Sequence, residues 1–238
     1  DDILDISAIA ALRGIRDDGS HWRIGATTSW SQIIEAGLPP LFDGLKLAAR
    51  AIGGVQVQNT GTLGGNLCNA SPAADGVPPL LALDARVEIA DTSGSKSVAL
   101  ADFILGNRRT LLRPGQLLTA ILIPKPTHAA RSDFVKLGAR EYLVVSIVMV
   151  AATLEVDAAQ VKTARVAVGA ASATAQRLPL LEAALIGKRC DAGLGEHARP
   201  EHLARLTPID DVRASREYRL DAGLTLVRRV LSRLGARA

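Results

Sequence analysis

Aromatic residues are scarce: two Trp, two Tyr and three Phe in 238 residues. Proteins that grip single-stranded nucleic acid stack bases on aromatics set among basic side chains, and nothing here offers that combination. The formal net charge is +4, but the basic residues are scattered, with their densest cluster in the tail VRRVLSRLGARA. Nucleic acid is therefore not an expected partner. Cysteine is nearly absent. Cys68 and Cys190 alone cannot hold an iron–sulfur cluster, which needs four ligands. With nothing to mark a secreted chain, they read as reduced thiols. His21, His128, His197 and His202 show no paired metal spacing, so no metal site is expected and each reads as a surface or capping residue. Long hydrophobic runs are missing too. The longest, LVVSIVMVAATL (143–154), is too short to span a bilayer, so no membrane insertion is expected. The opening DDILDIS is acidic rather than signal-like, which makes the cytoplasm the expected location.

What is present is the composition of a globular protein: 48% hydrophobic and 22% charged residues, which places the chain outside the disordered class. WRIGATTSW begins as a strand, and Ser29 is placed to cap a helix SWSQIIEA that Gly37 ends. Residues 39–54 open with prolines, carry apolar residues at helical spacing and stop at two glycines, predicting a helix. VPPLLALDA predicts a short helix, ARVEIA a strand, DTSGSKS a turn and GQLLTAILIP a strand closed by Pro124. The polar stretch 125–133, KPTHAARSD, reads as a linker between two domains. Beyond it, FVKLGAR, YLVVSIVMVAATLEV and VKTARVAVGAA predict three strands of an antiparallel sheet. TAQRLPLLEAALIG predicts a helix ending at Gly187. A last helix places Leu220, Leu224, Val227, Leu231 and Leu234 on one face, with Arg219, Arg228, Arg229 and Arg233 in solvent.

One stretch breaks the apolar pattern. Residues 59–75, NTGTLGGNLCNASPAAD, set Gly61, Gly64 and Gly65 among hydrogen-bonding side chains and close on Asp75. Glycines let backbone amides approach and converge on an anion, and Thr62, Asn66, Asn69 and Ser71 add side-chain donors. A nucleotide-like cofactor would suit this set. The plainer reading is a tight glycine loop whose side chains satisfy their own backbone. Neither GxGxxG nor GxxxxGK[ST] is matched.

The block NTGTLGGNLCNASPAADGVPPLLALDARVEI closely resembles the flavin loop of the medium, FAD-binding subunit of molybdenum hydroxylases, the xanthine dehydrogenase and carbon monoxide dehydrogenase family. ILDISAIAALRGI…WRIGATTSW, LKLAARAIGGVQVQNTGT, DFILGNRRTLLRPGQLLTAILIP, FVKLGAR and VAVGAAS…RLPLLEAALIG follow in the family's order, so the resemblance spans essentially the whole chain. It implies an α+β fold: a vanillyl-alcohol-oxidase/PCMH-type FAD-binding domain, N-terminally incomplete, over residues 1–126. A C-terminal domain of antiparallel sheet plus helix bundle, of the CO dehydrogenase flavoprotein type, is implied over 127–238. It further implies that Gly61, Thr62, Leu63, Gly64, Gly65 and Asn66 lie against the FAD diphosphate and ribityl chain, so that a bulkier residue at 64 would obstruct the cofactor. Asn69 would sit nearer the flavin ring, and Asp75 at the ribityl or ring-edge region. Ile52 and Gly53 would pass beside the flavin, Leu118 would lie near the adenine end, and Lys136 would reach across from the second domain. On residue type alone, Lys136 reads equally as a solvated strand-edge lysine.

The function so implied is electron relay: FAD receives electrons from [2Fe–2S] clusters and passes them to NAD⁺, dioxygen or a quinone as terminal acceptor. Molybdenum–pterin and the clusters would reside on a large molybdopterin-binding and a small iron–sulfur partner subunit. This chain alone would be an oxidoreductase subunit inactive on hydroxylase substrates, with no catalytic side chain of its own. Family members also carry an earlier AGGTD-like loop cradling the pyrophosphate, which has no counterpart in this sequence. The competing expectation is therefore a truncated, flavin-free assembly module of the same complex.

Overall fold

In residues 86–91 alternate side chains, Val87 and Ile89, are buried while their neighbours face outward. That period-two pattern builds a half-buried strand, and it recurs through the first half of the chain. The computed structural model describes residues 3–141 and 143–237. Its first sheet contains β1 (Ile15–Asp17), β2 (His21–Gly25), β3 (Arg86–Asp91), β4 (Gly94–Ala99) and, beyond a small ribbon of β5 (Ile104–Gly106) and β6 (Arg109–Thr110), β7 (Leu117–Pro124). The order is β1-β2-β7-β3-β4, antiparallel throughout. Being central, β7 buries Leu118, Ala120, Ile121 and Ile123, which accounts for its apolar sequence.

Between β2 and β3 run α1 (Trp30–Glu35), α2 (Asp43–Ala51), α3 (Val55–Thr60), α4 (Leu63–Asn69) and α5 (Val77–Ala82), and α6 (Leu100–Phe103) follows β4. Trp30, Ile33, Phe42, Leu45, Leu63, Leu67 and Leu80 from these helices close one core over the sheet.

The second half holds β8 (Ala129–Leu137), β9 (Val148–Asp157), β10 (Gln160–Gly169) and β11 (Gln176–Arg177) in the antiparallel order β11-β10-β9-β8, with α7 (Pro179–Leu185) and the long α8 (Arg216–Ala236). Both faces of β9 are covered. Val148, Val150, Ala152 and Leu154 pack with Val227, Val230 and Leu231 of α8, whereas Met149 and Ala151 meet Ala48 of α2 and Ala82 of α5. Two-sided burial explains why the sequence there is continuously apolar rather than alternating. The second contact set is also the apolar seam between the two halves. No helix among the described residues is long and apolar enough to cross a membrane.

Four expectations are corrected by tertiary context. Only residues 125–128 connect the halves, because 129–133 pair with β9 as the first residues of β8. That connection is clamped: one Glu155 carboxylate oxygen accepts from the amides of Thr127 (2.9 Å) and His128 (3.2 Å). The second half of the predicted turn DTSGSKS is β4, a polar edge strand that needs no apolar face. The glycine stretch is no loop: it folds into α3 and α4. Finally, Arg219 is buried, not solvated. Its guanidinium donates to the carbonyls of Ile147 and Ala170 and to Asp211 (2.7 Å), pinning the start of α8 to the second sheet.

Candidate functional site

Helix α4 forms despite two glycines because both its ends are anchored. Thr62 caps it, its hydroxyl oxygen accepting from the Gly65 amide at 3.0 Å, and Leu63 and Leu67, one turn apart, are both fully buried. The remaining first-turn amides are bonded as well: Leu63 to the Thr28 carbonyl (3.0 Å), Gly64 to Ala26 (2.8 Å) and Asn66 to Thr62 (3.0 Å). The amides expected to converge on an anion thus already have acceptors within the chain.

The two central glycines do different work. A Cβ on Gly64 would stand 2.7 Å from the Ala26 carbonyl oxygen and 2.8 Å from the Ala26 Cβ, so glycine there lets α4 dock on the end of β2. Gly65 is exposed, and a Cβ on it would meet nothing but the Thr62 hydroxyl at 2.9 Å. Gly65 leaves open the wall of a cleft of about 1100 Å³, the size class of small-molecule and cofactor sites. Leu117 and Leu118 form part of its floor, and Ser29, Asn59, Thr62 and Arg13 lie along its rim. The Thr62 and Ser29 oxygens accept from backbone amides, which leaves each hydroxyl proton to donate outward. Cys68 lines the same cleft, and burial pushes its thiol up, away from the reactive thiolate.

The remaining predicted residues gather elsewhere. Asp75 is buried, and both its oxygens are occupied: Lys136 Nζ donates to one at 2.5 Å and the Ser146 hydroxyl to the other at 2.5 Å. Burial pushes the Asp75 carboxyl up, opposed by the Lys136 charge and the two hydrogen bonds. Lys136 also donates to the Ala51 carbonyl at 3.3 Å, immediately before Ile52 and Gly53. There Gly53, at φ +54°, turns the chain from α2 into α3. Lys136 is therefore a partner in a buried ion pair across the seam between the halves, not a solvated edge lysine.

Of the twelve predicted positions, Thr62, Gly64, Gly65 and Leu118 line the cleft. Ile52, Gly53, Asp75 and Lys136 cluster at the seam. Leu63 is core, and Gly61 packs against the Val57 carbonyl and the Trp30 ring. Asn69 is exposed near the end of α4, and the Asn66 Oδ1 is buried without a hydrogen-bond partner among the described residues. The structure adds Arg13, Ser29 and Ser146. Ser146 had a signal, as a lone hydroxyl leading into a wholly apolar strand, whereas Arg13 had none. No cluster of metal-ligating residues occurs among the described residues.

A two-domain α+β fold with an open, hydroxyl-rimmed cleft against one sheet and a buried ion pair at the domain seam defines a cofactor-binding protein. Residues 1–126 match the FAD binding domain in molybdopterin dehydrogenase, and residues 133–234 the CO dehydrogenase flavoprotein C-terminal domain. A putative xanthine dehydrogenase FAD-binding subunit of Escherichia coli (strain K12) is 32% identical over 240 residues, spanning 99% of this chain and 82% of the relative. Among solved structures, reconstituted CO dehydrogenase from Oligotropha carboxidovorans aligns with TM-score 0.87 at 27% identity, covering 96% of this chain and 80% of that one. Quinoline 2-oxidoreductase from Pseudomonas putida 86 aligns with TM-score 0.88 at 26% identity, over 98% and 81%. The chain belongs to the family of FAD-binding medium subunits of molybdenum hydroxylases of the xanthine and CO dehydrogenase type.

Proposed function

We propose that this chain is the FAD-carrying electron-transfer subunit of a cytoplasmic molybdenum hydroxylase, residues 1–126 binding the cofactor and 127–238 closing over it. Its partners in this reading are a molybdopterin-binding large subunit and a [2Fe–2S] small subunit, with NAD⁺, dioxygen or a quinone as terminal acceptor. The observation that carries the reading is the cleft: about 1100 Å³ of open space beside the exposed Gly65 backbone. Its outward hydroxyls and apolar floor fit a hydroxyl-rich, anionic dinucleotide.

FAD, when bound, supplies one- and two-electron exchange, chemistry that no side chain here can perform. The chain's own part is to hold and to shield. Thr62 and Ser29 donate to the cofactor's polar middle, Gly65 admits it close to the backbone, and Leu118 packs beneath its adenine end. Asp75 and Lys136 act at the other end by bolting the second domain onto the first. Through Ala51, Lys136 fixes the turn at Ile52 and Gly53 that would flank the ring. Asn66 and Asn69 offer amides along the way.

One observation favours a second reading, a flavin-free assembly module: the first-turn amides of α4 need no ligand, since each is bonded within the chain. A visible spectrum of the purified chain, followed by FAD titration monitored by flavin fluorescence, separates the two. Saturable binding is the expected result. A colourless protein that leaves FAD fluorescence unchanged would install the second reading instead.

A further inference from the structure

The diphosphate of a dinucleotide brings negative charge into the cleft, and something must neutralise it. The backbone is not free to do so, because the amides of Leu63, Gly64, Gly65 and Asn66 are all bonded inside the chain. Among the side chains lining the cleft there are two carboxylates, Asp5 and Glu35, and a single cation, Arg13.

Arg13 has the form of a side chain held ready. It is exposed and faces no carboxylate within ion-pair distance among the described residues, whereas Arg23, Arg165, Arg177, Arg219 and Arg233 each have one. Its one side-chain hydrogen bond runs from Nη2 to the Ser7 carbonyl at 2.8 Å, which aims the guanidinium and leaves its other N–H groups without a protein acceptor. Its position is fixed by the strand-end packing that builds the cleft. The neighbouring Leu12 carbonyl accepts from both the amide and the hydroxyl of Thr27, itself a cleft residue. A guanidinium presents paired N–H donors that match two phosphate oxygens at once, and a charge-assisted contact of that kind is stronger than a neutral one.

We propose that Arg13 is the residue that binds the diphosphate of the dinucleotide in this cleft, supplying the charge that the α4 backbone does not. The assignment rests on the FAD reading above and adds to it a recognition residue outside the glycine motif.

The test is a fluorescence titration of FAD into the wild-type chain, Arg13→Ala and Arg13→Lys, each at low and moderate potassium chloride, with ADP as competitor. Arg13 touches only one backbone carbonyl through its side chain, so the thermal midpoints of all three should coincide. Arg13→Ala should bind FAD at least about tenfold more weakly, as expected for loss of a hydrogen bond to a charged group. Its affinity should also depend less on salt, and ADP should compete poorly. Arg13→Lys, which keeps the charge but not the fork, should fall between. If the wild-type chain binds FAD and Arg13→Ala binds it equally well with the same salt dependence, the Arg13 assignment falls and the FAD reading stands. The assignment falls likewise if Ala and Lys weaken binding equally with an unchanged salt dependence. If the wild-type chain binds no FAD, the FAD reading itself falls.

Discussion

The cleft beside α4 and the cluster at the domain seam were assigned to the same cofactor by one motif, yet they are built on opposite principles. The cleft is open and unfinished: Gly65 is bare, the Thr62 and Ser29 hydroxyl protons point outward, and Arg13 has no anionic partner. The seam is closed and complete: Asp75 gives one oxygen to Lys136 and the other to Ser146, with side-chain exposures of 8% and 11% for the ion pair. An open polar site gains by binding a ligand, whereas a closed one has spent its hydrogen bonds on the fold. Residues of one motif can therefore fail in different ways, and substitution should separate them.

The largest effect belongs to the closed side. Lys136→Met leaves the Asp75 carboxylate buried without its cation, and removing one partner of such a pair costs about 3–5 kcal/mol. Urea denaturation at neutral pH should show that loss. It should shrink as the pH is lowered and Asp75 takes up a proton. A loss below about 1 kcal/mol would mean that the seam is wetter than it looks and that the contrast with the cleft fails.

Next comes Glu155, which clamps the 125–128 connection. Burial pushes this carboxyl up, but the Arg165 guanidinium, Thr163 and the Thr127 and His128 amides outweigh burial and bring it to about 2 from 4.5. A carboxyl held lower in the folded state stabilises above its unfolded value and loses that contribution as the pH falls through the folded one. Stability should thus drop between about pH 4.5 and pH 2, by on the order of 2–3 kcal/mol from this group. Glu155→Gln should flatten that part of the acid-denaturation curve, and an identical acid limb in the variant would remove Glu155 as its cause.

Gly64 and Gly65 then sharpen the comparison within a single helix. Gly64→Ala forces a Cβ onto Ala26 and should lower stability by about 1–3 kcal/mol through overpacking. Gly65→Ala should stay within about 1 kcal/mol, since better helix propensity offsets a close contact with one hydroxyl. FAD affinity should fall for Gly65→Ala, where the added methyl enters the cleft. Paired thermal melts and flavin titrations decide the matter, and weaker FAD binding with unchanged stability in Gly64→Ala would reverse the two roles. The smallest effect is expected at Ser29, which exchanges two hydrogen bonds with Gln32 at the start of α1. Ser29→Ala should cost about 1 kcal/mol in a thermal melt, the usual loss for a helix cap.

The sequence by itself determined most of the elements, because their causes are local. Ser29 begins α1, the prolines of VPPLLA begin α5, Gly187 at φ +74° follows α7, and the alternation in RVEIAD makes a strand. The family was legible as well, since its blocks recur in order along the chain. Tertiary structure alone decided what depends on residues far apart. Burial of Leu63 and Leu67 turned a glycine-rich stretch into helix, and pairing with β9 turned a polar linker into strand. Carbonyls from two other segments, together with Asp211, drew Arg219 into the interior. Lys136 and Asp75 are separated by 61 positions, and neither composition nor period reveals that their charges meet. Long-range packing sets the dielectric and the available partners at each site, and those decide whether a polar side chain waits for a ligand or is already satisfied.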